Sequence, residues 1–140
     1  MGQWKTLNCE VNQVLKGINN SFLVNSNGNY ILVDTGPKRS WKKIKSNIEE
    51  LLGENKLSYL ILTHTHFDHA ENIAKIKKLH NPKIIVHKSE EEYLKHGNSP
   101  LPKGSNLVTG FIMDVFGKKF NQDTNMNQST LTFLWMKSMT

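Results

Sequence analysis

Three short apolar runs constrain this chain more than any other feature. Residues 30–34 (YILVD), 58–62 (SYLIL) and 83–87 (KIIVH) have the length and β-former content of strands. Between them lie two stretches of helical period. Trp41, Ile44, Ile48, Leu51 and Leu52 fall on one face behind Ser40 as a candidate N-cap, with Gly53 as the stop. Ala70, Ile73, Ala74, Ile76 and Leu79 form the apolar face of a second helix that Pro82 ends. A β-α-β-α-β order implies parallel pairing through right-handed crossovers, which puts all three strand carboxyl ends on one edge of the sheet. Open α/β sheets bind ligands at that edge.

The residues that follow those strand ends carry chemistry. Asp34, Thr35 and Gly36 follow the first, THTHFDH at 63–69 follows the second, and His87 closes the third. His64, His66, Asp68 and His69 thus stand within six positions, and imidazole and carboxylate are the ligand types of a hydrolytic zinc site. Cys9 is the only cysteine, so any metal must use histidine and carboxylate ligands. Asp68 falls in the first turn of a helix, where the dipole favours its ionised form. The implied chemistry is metal-assisted hydrolysis, in which an ion acidifies a water and polarises the scissile carbonyl or phosphoryl oxygen. Asp68 would orient or deprotonate that water, or ligate a second ion. Asp34 would accept a ring N–H from a ligand histidine and fix its tautomer. His87 reads as an ordinary strand-terminal histidine, and His80 and His96 as helix C-terminal residues.

The flanking segments are less informative. Residues 4–15 read as short strands and turns, and 21–24 pairs with 30–34 as a hairpin, because Asn27 and Gly28 both tolerate positive φ. Ser89 with Glu92 has the form of a capping box for a short helix running to His96. Residues 98–106 are a loop, and the apolar pairs from Leu107 to Phe116 recur at helical spacing; Tyr93, Phe111, Phe116 and Trp41 are assigned to the core. Residues 121–130 are almost wholly polar, and 131–136 (LTFLWM) form an apolar patch with no partner strand to follow. The formal charge of +6 rests on seventeen lysines and one arginine scattered over helix surfaces, so a solvated face is the simplest account. No apolar run approaches the ~20 residues of a membrane span, and no secretory signal opens the chain, so the expected compartment is the cytoplasm.

Taken together, VDTG at 33–36 and THTHFDH at 63–69, with the helix and strand between them, resemble the metallo-β-lactamase superfamily of hydrolases. The resemblance covers roughly the first 100 residues. It implies an α/β fold, a metallo-β-lactamase-like αββα sandwich of mixed sheets with helices, of which this chain is the N-terminal half. It further implies a first ion held by His64 and His66, a second by Asp68 and His69, and Asp34 as the strand-end aspartate beside them. The superfamily completes its site from a C-terminal half with further histidines and a bridging aspartate. After His96 there is no histidine, and Asp114 and Asp123 are the only acids.

The resulting expectation is a zinc-class metallohydrolase, with iron or manganese also suited to the ligands. Its domain would span 1–120, followed by a tail at 121–140 that departs from the family. The partner would be a small-molecule substrate bearing an ester, thioester, lactam or phosphodiester bond, with its contact residues unassigned. Two rivals stand beside this reading. One is a truncated, inactive metal-binding half that self-associates or needs a complementing chain. The other is a nucleic-acid processing hydrolase, drawing on the basic charge.

Overall fold

The structure, a computed structural model, describes residues 2–90 and 133–134. Among these residues seven strands form one mixed sheet whose spatial order is their order in the chain: β1 (Gln3–Lys5), β2 (Cys9–Leu15), β3 (Ser21–Ser26), β4 (Asn29–Val33), β5 (Leu57–Ile61), β6 (Lys83–Ile85) and β7 (Phe133–Leu134). The first four pair antiparallel as a meander. The β3–β4 turn is the expected one, with Asn27 at φ 49° and Gly28 at φ 82°. From β4 onward the pairing is parallel, as the alternation of periods requires. Helix α1 (Trp41–Leu52) joins β4 to β5, and α2 (Phe67–Ala70) and α3 (Ile73–His80) join β5 to β6. Both crossovers travel the same way across the sheet, so right-handedness puts α1 and α3 on one face.

That face is the core. Leu23, Leu32, Leu60 and Ile84 sit in register across β3 to β6. They cluster with Ile44, Ile48 and Leu52 of α1 and Ile73 and Ile76 of α3, all essentially buried. Each such side chain contributes roughly 1.5–3 kcal/mol by leaving water. A register shift between Gln13 and Leu15 turns both Val14 and Leu15 inward. Leu15 then lies under Gly36, whose φ of 66° and missing side chain let the chain pass: a Cβ there would strike the Leu15 methyl. The opposite face carries Phe22, Val24, Ile31, Val33, Tyr59, Ile61 and Ile85, all half-buried. A half-apolar outer face of this kind suits a sheet in an αββα sandwich.

Four local expectations change. The second helix is broken at Glu71 and Asn72, so its buried face is Ile73 and Ile76, while Ala74 is exposed and Leu79 is 45% exposed. Ser40 occupies the N-cap position of α1 but makes no cap: it ends a 3-10 turn with helical dihedrals, and its hydroxyl donates back to the Pro37 carbonyl (2.6 Å). Phe133–Leu134, in the patch read as partnerless, pairs parallel with β6. The stretch after Lys83 yields a strand of three residues and then a 3-10 turn at Lys88–Glu90. The capping-box helix, the loop at 98–106 and the helical spacing that follows lie outside the described residues, as do Tyr93, His96, Phe111 and Phe116. No helix among the described residues is long and apolar enough to cross a membrane.

His80, at the end of α3, is tucked toward α1 and leaves Nε2 buried without a hydrogen-bond partner. Burial pushes its pKa down, nearby Lys45 adds to this and Glu49 opposes it. A base whose folded pKa lies below its unfolded value binds fewer protons when folded, so stability is complete above the unfolded value and falls as pH drops through the folded one. The urea midpoint should therefore fall between pH 7.5 and pH 5, and should fall less in His80→Leu. Equal acid sensitivity in the two proteins would show that His80 is not a source of it.

Candidate metal centre

The carboxyl edge of β4 and β5 brings the histidine cluster to Asp34. This residue ends β4 at φ 58°, a left-handed conformation that Asp tolerates better than most residues. Its backbone N–H continues the sheet by donating to Ile61 O (2.9 Å), so its 4%-exposed carboxylate turns beneath the 63–69 loop. There Oδ1 accepts the Thr63 N–H (2.9 Å), and Oδ2 accepts the Thr63 hydroxyl (2.8 Å). His69 Nδ1 lies 2.8 Å from the same Oδ2. A carboxylate can only accept, so His69 carries a proton on Nδ1, and in its neutral form the bare nitrogen is Nε2.

His64 is held in a similar way. Its Nδ1 lies 3.0 Å from Thr63 Oγ1, whose only proton is directed to Asp34. His64 Nδ1 is then the donor, and its Nε2 is also bare. Burial holds the His64 pKa below the usual histidine range, and neighbouring His69 and His66 lower it further, against an opposing pull from Asp34 and Asp68. His64 is thus neutral at physiological pH, the form a metal takes.

Ligand atoms of His64, Asp68 and His69 lie within 4.8 Å of one another. His69 Nε2 and Asp68 Oδ2 are 4.0 Å apart. Two ligands bound to one zinc at ~2.1 Å stand at most about 4.2 Å apart, so Asp68 and His69 already lie within reach of one ion, and the three-residue group, spread over up to 4.8 Å, would draw together by a few tenths of an ångström to hold it. His66 stands beside the group rather than in it, its ring edge-on to His64 with centroids 4.7 Å apart, while the His64 and His69 rings are 4.0 Å apart. The structure therefore gathers His64 with Asp68 and His69, where the family resemblance pairs it with His66. His87 is exposed and bonded within its own loop, to Ser89 Oγ at 2.8 Å.

Several residues that sequence reasoning passed over hold this arrangement. Asn19, in the β2–β3 turn, donates to Asp68 Oδ2 (2.5 Å). Asn72 is fully buried, and its Nδ2 donates to the carbonyls of Thr35 (3.0 Å), Gly36 (3.2 Å) and Pro37 (2.9 Å). The Thr35 hydroxyl and N–H both donate to His69 O (2.9 and 2.7 Å), and the Lys38 N–H donates to Glu71 (2.6 Å). Glu90 accepts from Thr65. Asn72 had one signal, a polar residue inside an apolar period; Asn19 and Glu90 had none that spacing reveals. Beside Asp68 opens a groove of about 530 Å³, lined by Ile18, Asn19, Pro37, Lys38, Arg39 and Glu71.

Comparison with known proteins agrees with this architecture. A metallo-beta-lactamase fold-containing protein of Sulfurisphaera tokodaii is 26% identical over 98 residues, covering 66% of this chain and 35% of that one. The metallo-beta-lactamase MIM-1 of Novosphingobium pentaromativorans superposes with a TM-score of 0.58 at 25% identity, covering 73% of this chain and 37% of that one. GOB-18 of Elizabethkingia meningoseptica does so with a TM-score of 0.51 at 32% identity, over 56% and 30%. This chain spans about a third of the length of these relatives. The profile of the metallo-beta-lactamase superfamily matches residues 14–117, more than half of the sequence. The chain belongs to the metallo-beta-lactamase superfamily.

Proposed function

We propose that this chain holds a zinc-class divalent ion at His64, Asp68 and His69, with His66 as an adjoining ligand, and serves the hydrolysis of a small molecule lying in the neighbouring groove. The observation that carries this is the tautomer set: Asp34, directly and through Thr63, takes the Nδ1 protons of His69 and His64, leaving two Nε2 lone pairs near the Asp68 carboxylate. When bound, the ion supplies Lewis-acid polarisation and an acidified water. The chain's own residues do the rest. Asp34 fixes the Nδ1 tautomer of the histidines and aims them, Asn19 holds one oxygen of Asp68, and Asp68 orients the attacking water or takes its proton. Ile18 and Pro37 give the groove an apolar lining, and the exposed Arg39 offers a charge to an anionic substrate. Ester, thioester, lactam and phosphodiester bonds all suit this chemistry.

Elemental analysis after zinc loading and dialysis should find the metal retained, and His64→Ala should weaken binding by at least about tenfold, as loss of a direct ligand exceeds loss of an outer partner. A wild-type chain that retains no zinc, iron or manganese refutes the reading. A second reading, metal binding without turnover, is favoured by the grouping of only three donors among the described residues. It predicts retained zinc but no hydrolysis of thioester, lactam or phosphodiester substrates.

A further inference from the structure

Glu90 stands just beyond the end of β6, and its carboxylate reaches back to the histidine loop. One oxygen, Oε2, accepts both the backbone N–H (3.0 Å) and the hydroxyl (2.8 Å) of Thr65. Thr65 is 5% exposed and lies between His64 and His66. Asp34 takes the same pair of groups from Thr63, two residues earlier. The order Thr-His-Thr-His thus alternates grips with ligands, each threonine being seized at two points by an acid from a different strand end.

We infer that Glu90 is a positioning residue of the metal centre, the second of two carboxylate clamps that fix the loop on either side of His64. Anchoring an N–H and a hydroxyl of one residue to one oxygen fixes both the peptide plane after His64 and the Thr65 side chain. Asp34 alone holds the loop only on its near side. With Thr65 released, the backbone on the far side of His64 is free to turn, and the His64 ring loses its fixed aim. The third strand end therefore contributes to the site through Glu90, not through His87. This inference rests on the metal reading above, and its test separates the two.

Cobalt(II) is the probe, since its visible d–d bands report ligand geometry as well as occupancy. Glu90→Ala should bind cobalt at least about tenfold more weakly than wild type and with altered bands, the range found when outer-shell partners of a metal site are removed. Glu90→Gln keeps an acceptor oxygen at the same reach and should restore both. Thr65→Val, which removes one of the two bonds while keeping shape, should fall between. In the metal-free protein, exchange of the Thr65 amide should quicken in Glu90→Ala and not in Glu90→Gln. Unchanged cobalt affinity and bands in Glu90→Ala, with only a lowered Tm, would overturn the inference and leave the metal reading intact. Wild-type protein that binds no cobalt overturns both. If Glu90→Ala does not fold, Thr65→Val with wild-type affinity and bands overturns it equally.

Discussion

Asp34→Asn is expected to weaken zinc binding by about one to two orders of magnitude while leaving the fold in place. Asn accepts the left-handed conformation at φ 58° as readily as Asp, so the backbone has no reason to move. The change is in the direction of the hydrogen bonds. Where Oδ2 accepted from His69 Nδ1 and from the Thr63 hydroxyl, an amide nitrogen would donate to both. His69 would then carry its proton on Nε2, the nitrogen that faces Asp68, and the metal would have to displace it. Imidazole ¹⁵N shifts should show the exchanged tautomer, and calorimetry the lost affinity. Asp34→Ala should add a stability loss of about 3 kcal/mol or more, because it leaves three donors without their acceptor. Wild-type zinc affinity in Asp34→Asn would remove the tautomer argument, and with it the main support for the metal centre.

Asn72→Asp should be the most destabilising isosteric change in the chain. Asn72 Nδ2 faces three backbone carbonyls in a fully buried position, and its N–H meets the Thr35 hydroxyl (3.2 Å). Replacing that nitrogen with an oxygen aims an acceptor at three acceptors, so the aspartate must protonate, turn away or break the contact. A loss of about 3–5 kcal/mol is expected, as for uncompensated buried polar groups. Asn72→Ala removes the donor but imposes no repulsion, and should cost less. That order distinguishes donation from packing, since the aspartate fills the pocket and alanine does not. A urea midpoint for Asn72→Asp at or above that of Asn72→Ala would rule the donor role out.

What the sequence disclosed depended on the range of each interaction. Period and turn chemistry act over a few residues, so the β-α-β-α-β order, the Asn27–Gly28 hairpin and α1 were readable with their boundaries nearly right. The placement of Asp34 beside His69 also followed, because parallel pairing alone sends both strand ends to one edge. The break at Glu71 and Asn72 did not. Nothing local forbids a helix there, and the cause is a donor recruited by carbonyls 35 to 37 residues earlier. Glu90 was hidden for a related reason: its neighbours Ser89 and Glu92 spelled a helix start, which drew attention from a carboxylate whose partner lies 25 residues away. The grouping of His64 with Asp68 and His69 is a matter of three-dimensional placement, which no spacing rule encodes.

The one-to-one correspondence between strand order and chain order bears on how the molecule forms. Among the described residues, each strand from β2 to β6 pairs with the one before it, so each of those closures spans only the connection between neighbours. The entropy of closing a loop rises slowly with its length, and folds rich in local pairings form quickly. The β2 to β4 meander is therefore expected to assemble early. The bonds that define the centre join Asn19 to Asp68 across 49 residues, Asp34 to His69 across 35 and Thr65 to Glu90 across 25. The first two can close only after β5 has docked, and the third only after β6 as well, which makes a competent metal centre one of the last products of folding.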